Sequence, residues 1–172
     1  MQNRKNKGFT LIELLVVIAI IGLLATLAVI ALGNARQKSR DAKRLADVRQ
    51  IQTAIALFAT DRSDASYPEN GPAGNEALIL GTGLALTLCE NVGFSAAACG
   101  ANQTYMGLVP SDPNGIAPLV YSYESFIDAI PTNCNDASGN ICIDYTITFS
   151  LEGNAGGLLA GLVYGDETGI HN

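Results

Sequence analysis

The chain has 172 residues, a formal net charge of −6 and only 15% charged residues. All ten Lys and Arg lie at or before Arg62, whereas residues 63–172 carry twelve acidic residues and no base. An acidic domain cannot neutralise phosphates, so this composition argues against nucleic-acid binding by residues 63–172.

An apolar run of membrane length occupies residues 14–32, in which only Gly22 and Thr26 are not aliphatic. As a helix this run is roughly 28 Å long, close to the hydrocarbon thickness of a bilayer. A removable secretory signal has an apolar region of about 7–15 residues, followed by a small-residue cleavage site. The run is longer and lacks such a site, which favours a transmembrane helix.

The residues before this run carry a processing signal. Three cations, Arg4, Lys5 and Lys7, precede Gly8, and the chain from residue 7 to 22 reads KGFTLIELLVVIAIIG. This pattern resembles the class III signal of type IV pilins and type II secretion pseudopilins. The resemblance implies that a prepilin peptidase cuts between Gly8 and Phe9 and then methylates the new Phe9 amine. Glycine suits such a site because its backbone can enter a crowded cleft.

The carboxylate of Glu13 is the second feature of this signal. A carboxylate inside a membrane helix costs on the order of 3 kcal/mol, so it is usually functional and paired. Its partner could be the Phe9 ammonium, either within one chain or between staggered chains. The family resemblance favours the second arrangement, in which the amine of an incoming subunit meets Glu13 of a subunit already placed and sets the register. The alternative is a carboxylate that snorkels to the membrane interface.

The charges around the span do not orient it. Six cations follow the span between residues 36 and 49, against three before it, which conflicts with the positive-inside rule. The resemblance implies a single-pass precursor of the inner membrane with a cytoplasmic N-terminus, and then a cell-surface or periplasmic filament. It also implies four partners: other copies of the chain, the peptidase, an inner-membrane assembly platform and membrane lipid.

The helix is predicted to continue through residues 34–60, which are rich in strong helix formers. Basic residues at 36, 40, 43 and 44 form a neighbouring edge, predicted to be solvated or to contact lipid head groups or acidic domains of neighbours. The helix is predicted to end within residues 61–68, because Pro68 cannot continue it. Many family members carry a proline within the membrane helix where this chain has Ile30, so the helix is expected to stay intact in a filament unless Gly22 or Gly33 supplies a weak point. One apolar stripe marks the buried face of residues 34–60: Leu45, Val48, Ile51, Ile55 and Phe58.

The rest of the chain predicts a small antiparallel sheet. Residues 69–118 are interpreted as loop, with a short helix at residues 77–88. Residues 143–152 alternate apolar and polar side chains, as in a half-buried strand, with a turn at 153–157 and a returning strand at 158–164. Residues 119–125 form a preceding strand, and the turn at 111–115 before it loosely resembles a major pseudopilin pattern. The expected fold is therefore α+β, with a leader at 1–8, an assembly helix at 9–33, a helical continuation at 34–60 and an exported domain at 61–172 whose sheet covers about 119–164.

All four cysteines lie beyond the membrane span, which predicts two disulfides in an exported domain. Three pairings are open, and the near-neighbour set, Cys89–Cys99 with Cys134–Cys142, is preferred. Zinc is not expected, because no Cys-x-x-Cys spacing is present and the only histidine, His171, lies next to the C-terminal end. A calcium site near Asp112 or residues 133–140 is conceivable.

The predicted function is that of a structural subunit of a type IV pilus or pilus-like filament. The alternative is the major pseudopilin of a type II secretion system, since both share this N-terminus. A remote alternative is an anchored binding domain or exo-enzyme on a pilin-like stem. No catalytic residue is expected, because Ser-His-Asp and Cys-His hydrolysis need an imidazole and His171 is predicted to lie in a mobile tail. No metal or cofactor is expected either.

Overall fold

The computed structural model describes residues 9–70, 77–115, 119–127, 134 and 141–172. The chain divides into two compact units, Met1–Lys38 and Ser39–Asn172. One helix begins in the first unit and ends in the second, and eight strands follow it within the described ranges. The elements are α1 Leu11–Asp61, β1 Leu78–Ile79, β2 Thr87–Cys89, β3 Gly93–Ser95, β4 Thr104–Met106, β5 Ser122–Phe126, β6 Asp144–Leu151, β7 Gly161–Asp166 and β8 Gly169–His171.

The part of α1 in the first unit is an apolar rod with exposed side chains, for example Leu14 at 59% and Leu32 at 51% exposure. Its length and composition make it a candidate membrane span. The helix is continuous through Gly22, Ile30 and Gly33, as expected for a segment without proline.

The part of α1 in the second unit buries one face. Its apolar stripe lies in the main core, which confirms the periodicity read from the sequence. Gly165 of β7 permits this strand to approach the helix closely, because a Cβ at this position would lie 3.1 Å from Val48 Cγ1. The buried apolar residues of the helix are Leu45, Val48, Ile51, Ala54, Ile55 and Phe58.

The main sheet has five antiparallel strands in the order β1-β5-β6-β7-β8. Strand β6 is central, pairing Tyr123 of β5 with Ile147 and Val163 of β7 with Phe149. Burial alternates along β6, since Tyr145, Ile147, Phe149 and Leu151 are buried and the residues between them are half-buried. The alternating pattern therefore identified both the strand and its inner face.

The structure corrects the expectations for residues 69–118. The short helix predicted at residues 77–88 is absent; the segment holds β1, a turn and β2 instead. Gly81 has a φ of 72° and a Cβ at this position would lie 2.5 Å from the backbone nitrogen of Ser111, so chain packing at this point requires glycine. The predicted loop also contains a second sheet, of order β3-β2-β4.

The C-terminal region also differs in detail. The returning strand β7 begins later than predicted, at Gly161, and β8 adds an edge strand that the sequence reading lacked. Ile143, which was assigned to the apolar face, precedes β6 and is 55% exposed. His171 is part of β8 and stacks on Tyr164, so the expectation of a mobile tail is wrong.

The burial pattern predicts unequal effects for two aliphatic positions on α1. Ile55 is fully buried and Leu57 is 53% exposed. Ile55→Ala should lower the free energy of unfolding by about 2–5 kcal/mol. The matched control Leu57→Ala should change it by less than about 0.5 kcal/mol. Denaturant unfolding of the full chain in detergent tests this, and equal losses would contradict the helix orientation.

Candidate processing and assembly site

Two of the predicted site residues lie together at the start of α1. Phe9 is 83% exposed, and Gly8 lies outside the described residues. Phe9 and Glu13 border one shallow groove on the helix surface with Ile12, Val16 and Val17. Phe9 lies two residues before α1 begins at Leu11, so it borders the groove from the segment that leads into the helix.

Glu13 also closes the first turn of the helix. The backbone N–H and the hydroxyl of Thr10 both donate to Glu13 Oε2, at 2.8 and 2.6 Å, and Glu13 N–H donates back to Thr10 Oγ1 at 3.3 Å. Thr10 thus precedes the first helical residue and Glu13 is the third, which is the reciprocal arrangement of a capping box. The Thr-x-x-Glu signal was present in the sequence, but its capping role was missed.

This geometry leaves one carboxylate oxygen for another partner. Within the described residues, Glu13 Oε1 makes no hydrogen bond, whereas Oε2 is occupied by Thr10. The capping contacts of Glu13 therefore involve Oε2 alone.

The second unit contains a buried charged cluster around Arg44. Arg44 is fully buried and its guanidinium binds three carboxylates. Nε and Nη2 donate to Asp112 at 2.6 and 3.2 Å, and Nη1 donates to Asp41 at 2.7 Å and to Glu152 at 2.8 Å. Burial alone would lower the pKa of Arg44, but the hydrogen bonds to the three carboxylates raise it.

Glu152 joins Arg44 to a second cation. Arg40 Nε donates to Glu152 Oε1 at 2.7 Å, and Arg40 Nη2 donates to Oε2. The hydrogen bond from Arg40, followed by that from Arg44, lowers the pKa of Glu152 to about 2. Asp41 joins this charged cluster to the chain after β6, because it accepts hydrogen bonds from the backbone N–H groups of Glu152 and Gly153, at 3.0 and 2.9 Å.

These contacts correct the expectation of a free basic edge and show what Asp112 binds. Arg40 and Arg44 do not belong to a free basic edge, because internal carboxylates bind both of them. Asp112, considered for calcium, instead accepts from Arg44 through both oxygens and from the N–H groups of Asn114 and Gly115. The Asp112 carboxylate thus holds the turn at residues 111–115 to the helix.

A further buried carboxylate, Asp47, lies on the same part of α1. It accepts a hydrogen bond from the hydroxyl of Tyr121 at 3.0 Å, and burial raises its pKa. Like Arg44, it joins the helix to the segment preceding β5. Sequence periodicity placed neither side chain inside, because both are polar residues bordering an apolar stripe.

Both disulfides form with the near-neighbour pairing. Cys89–Cys99 and Cys134–Cys142 have Cα–Cα distances of 5.3 and 5.6 Å. The first joins β2 to the segment after β3. Tyr67 N–H donates to the carbonyl of Cys142 at 2.9 Å, which ties the second disulfide to the segment following α1.

Comparison with known proteins supports the resemblance seen at the N-terminus. Residues 3–29 match the family model described as the prokaryotic N-terminal methylation motif. No solved structure matches the chain significantly.

Curated relatives extend this similarity beyond the motif. The chain is 35% identical over 71 residues to type II secretion system core protein G of Aeromonas hydrophila, covering 41% of this chain and 50% of the relative. It is 36% identical over 112 residues to type IV major fimbrial protein FimA of Dichelobacter nodosus strain VCS1703A, covering 64% of this chain and 62% of the relative. The matches thus span half to three fifths of these relatives. Motif and relatives together show that the chain is similar to type IV pilins and type II secretion pseudopilins.

The low pKa of Glu152 predicts a specific pH dependence of stability. Its folded pKa of about 2 lies below its ordinary value of 4.5. The ion pairs should therefore stabilise the fold fully above about pH 5 and lose their effect as pH falls towards 2. Glu152→Gln should lower the free energy of unfolding by about 1.5–3 kcal/mol at neutral pH, with a smaller difference near pH 2.

Urea unfolding of the full chain between pH 7 and pH 2 measures this difference. Glu124 of β5 is a suitable control, because it forms no ion pair with any described residue. Glu124→Gln should change stability by less than about 0.5 kcal/mol. A Glu152→Gln deficit that is equally large at pH 2 would show that the carboxylate charge is not its cause.

Proposed function

We propose that this protein is a structural subunit of a type IV pilus or pilus-like filament. The precursor is held in the membrane by residues 14–32, processed before Phe9, and then moved into a fibre of packed helices. The observation that carries this proposal is the combination of a matched methylation motif at residues 3–29 with an apolar helix whose membrane-length window is 0% buried within the protein.

The exposed helix needs an apolar environment at every stage. In the precursor, lipid supplies it. In the filament, the corresponding surfaces of neighbouring helices replace lipid, and van der Waals packing between them holds the fibre together. The second unit carries no such apolar rod, since its stretch of α1 buries its stripe against the sheet.

The charges at the start of the helix provide a register. Cleavage after Gly8 creates an ammonium at Phe9, and Glu13 keeps Oε1 available while Oε2 caps the helix. Pairing between the Phe9 amine of one subunit and Glu13 of its neighbour neutralises both charges in an apolar bundle, where an unpaired charge is strongly unfavourable. The pair therefore selects one axial stagger between subunits.

A second candidate function is the major pseudopilin of a type II secretion system. The similarity to core protein G of Aeromonas hydrophila supports it, and the same processing and packing would apply. The longer alignment with FimA favours the pilus. Neither relative is named as an enzyme, and we assign no catalytic role to this chain.

The proposal predicts a mature protein that begins at Phe9. Mass analysis of native protein should find residues 1–8 missing, a formal charge of −9 instead of −6, and one methyl group on the Phe9 amine. Gly8→Val should block cleavage, because a side chain hinders entry of the backbone into the peptidase. Gly33→Val is the control, since nothing lies within 4 Å of a Cβ placed there. Native protein that still starts at Met1 would refute the processing signal.

Glu13→Gln separates charge from capping. Glutamine retains the capping box but cannot neutralise an ammonium. Leaving that ammonium unpaired in the bundle costs about 3–5 kcal/mol, so surface filaments should be lost while subunits accumulate in the membrane. Filament counts and membrane-held subunit measure both quantities.

Thr10→Val is the matched control for this experiment. It removes the capping hydroxyl and keeps the Glu13 charge, at a cost of about 1 kcal/mol in helix stability, and filaments should persist. Normal filaments with Glu13→Gln and none with Thr10→Val would show that Glu13 acts through the cap alone.

A further inference from the structure

The cations that follow the membrane span are not equivalent. Arg40 and Arg44 bind internal carboxylates, and the charge of Lys43 partly offsets the rise that burial causes in the pKa of nearby Asp47. Arg36 and Lys38 are exposed, and neither forms an ion pair with a described residue. They are also the first two cations after the apolar run, and both are accessible to a partner from outside the described protein.

Their distance from the apolar run matches the headgroup layer of a membrane. Arg36 and Lys38 follow Leu32 by four and six residues, roughly 6 and 9 Å along a helix. The interfacial layer is about 5–8 Å thick on each side of the hydrocarbon core. Long cationic side chains adjust their position within this layer by bending towards it. The pair therefore lies at the depth of lipid phosphates when residues 14–32 fill the hydrocarbon core.

The angular arrangement of the two cations favours lipid over a protein partner. Two residues along an α-helix correspond to about 200° of rotation, so Arg36 and Lys38 extend from nearly opposite sides. A neighbouring protein docked on one side of the helix would engage only one of them. A headgroup layer surrounds the helix and contacts both.

We propose that Arg36 and Lys38 bind the phosphate groups of anionic phospholipids at the C-terminal end of the span. The two contacts hold the subunit at a fixed depth in the membrane before assembly. This inference rests on the membrane-held stage of the proposed function. Binding to lipid phosphates would also explain why cations follow the span, where the positive-inside rule would not place them.

Lipid enrichment around the helix tests the proposal directly. The chain has no tryptophan, so Leu32→Trp provides a single fluorescent donor beside the two cations. The full-length precursor is reconstituted in phosphatidylcholine vesicles containing a trace of pyrene-labelled phosphatidylglycerol or pyrene-labelled phosphatidylcholine. Energy transfer should show a local enrichment of the anionic lipid of about fivefold for each cation, and added salt should reduce it.

A double variant and a matched control locate the effect. In the Leu32→Trp background, Arg36→Gln with Lys38→Gln should abolish the enrichment. Lys43→Gln with Arg49→Gln should retain it, because these exposed cations belong to the second unit and lie eleven and seventeen residues beyond Leu32.

Three outcomes would overturn the proposal. They are equal transfer to both lipids in the parent protein, enrichment that survives in the first double variant, and an equal loss in the control. Cross-linking between copies that depends on Arg36 and Lys38 without lipid enrichment would identify a second copy as the partner instead. The vesicle measurement requires no assembly, so its failure leaves Phe9 processing and filament formation to be judged separately.

Discussion

No other described part of the chain covers the apolar surface of residues 14–32, and this constraint determines which environments the molecule can occupy. Side chains such as Leu23 and Val29 are 65% and 71% exposed, and a continuous rod of this kind is not stable in water. It must lie in lipid or against other helices. The two environments are chemically similar, so transfer between them can be governed by the few charged groups at the ends of the rod.

Those charged groups divide into two sets with different tasks. At the start of the helix, Glu13 Oε2 caps the first turn, and Oε1 makes no hydrogen bond with a described residue. At the far end, Arg36 and Lys38 form no ion pair with a described residue. Under the proposed function, pairing of the N-terminal charges between copies sets the axial stagger, and lipid contacts of the two cations set the depth of the subunit in the membrane.

The second unit is held together in a different way, by an ionic corner added to an apolar core. Arg44 joins the helix to the loop at Asp112 and to the β6–β7 turn at Glu152. A fully buried guanidinium is tolerated because three carboxylates accept its hydrogen bonds, and removing Arg44 would leave buried carboxylate charge uncompensated. This arrangement orients the helix on the sheet more specifically than an apolar stripe can, since each hydrogen bond has a required direction.

The sequence by itself determined the features that repeat or are local. The apolar run, the processing signal, the helical stripe from Leu45 to Phe58 and the alternation along β6 all follow from periodicity or from adjacent residues, as does the preference for short disulfide loops. Tertiary structure alone decided the rest. The strands near Gly81 form by pairing with later segments, β1 with β5 and β2 with β4, and Arg44 is buried because carboxylates 68 and 108 residues away converge on it. Such pairings leave no local pattern in the sequence. Each of these residues, taken with its sequence neighbours alone, is typical of an exposed turn or of a solvated helix face.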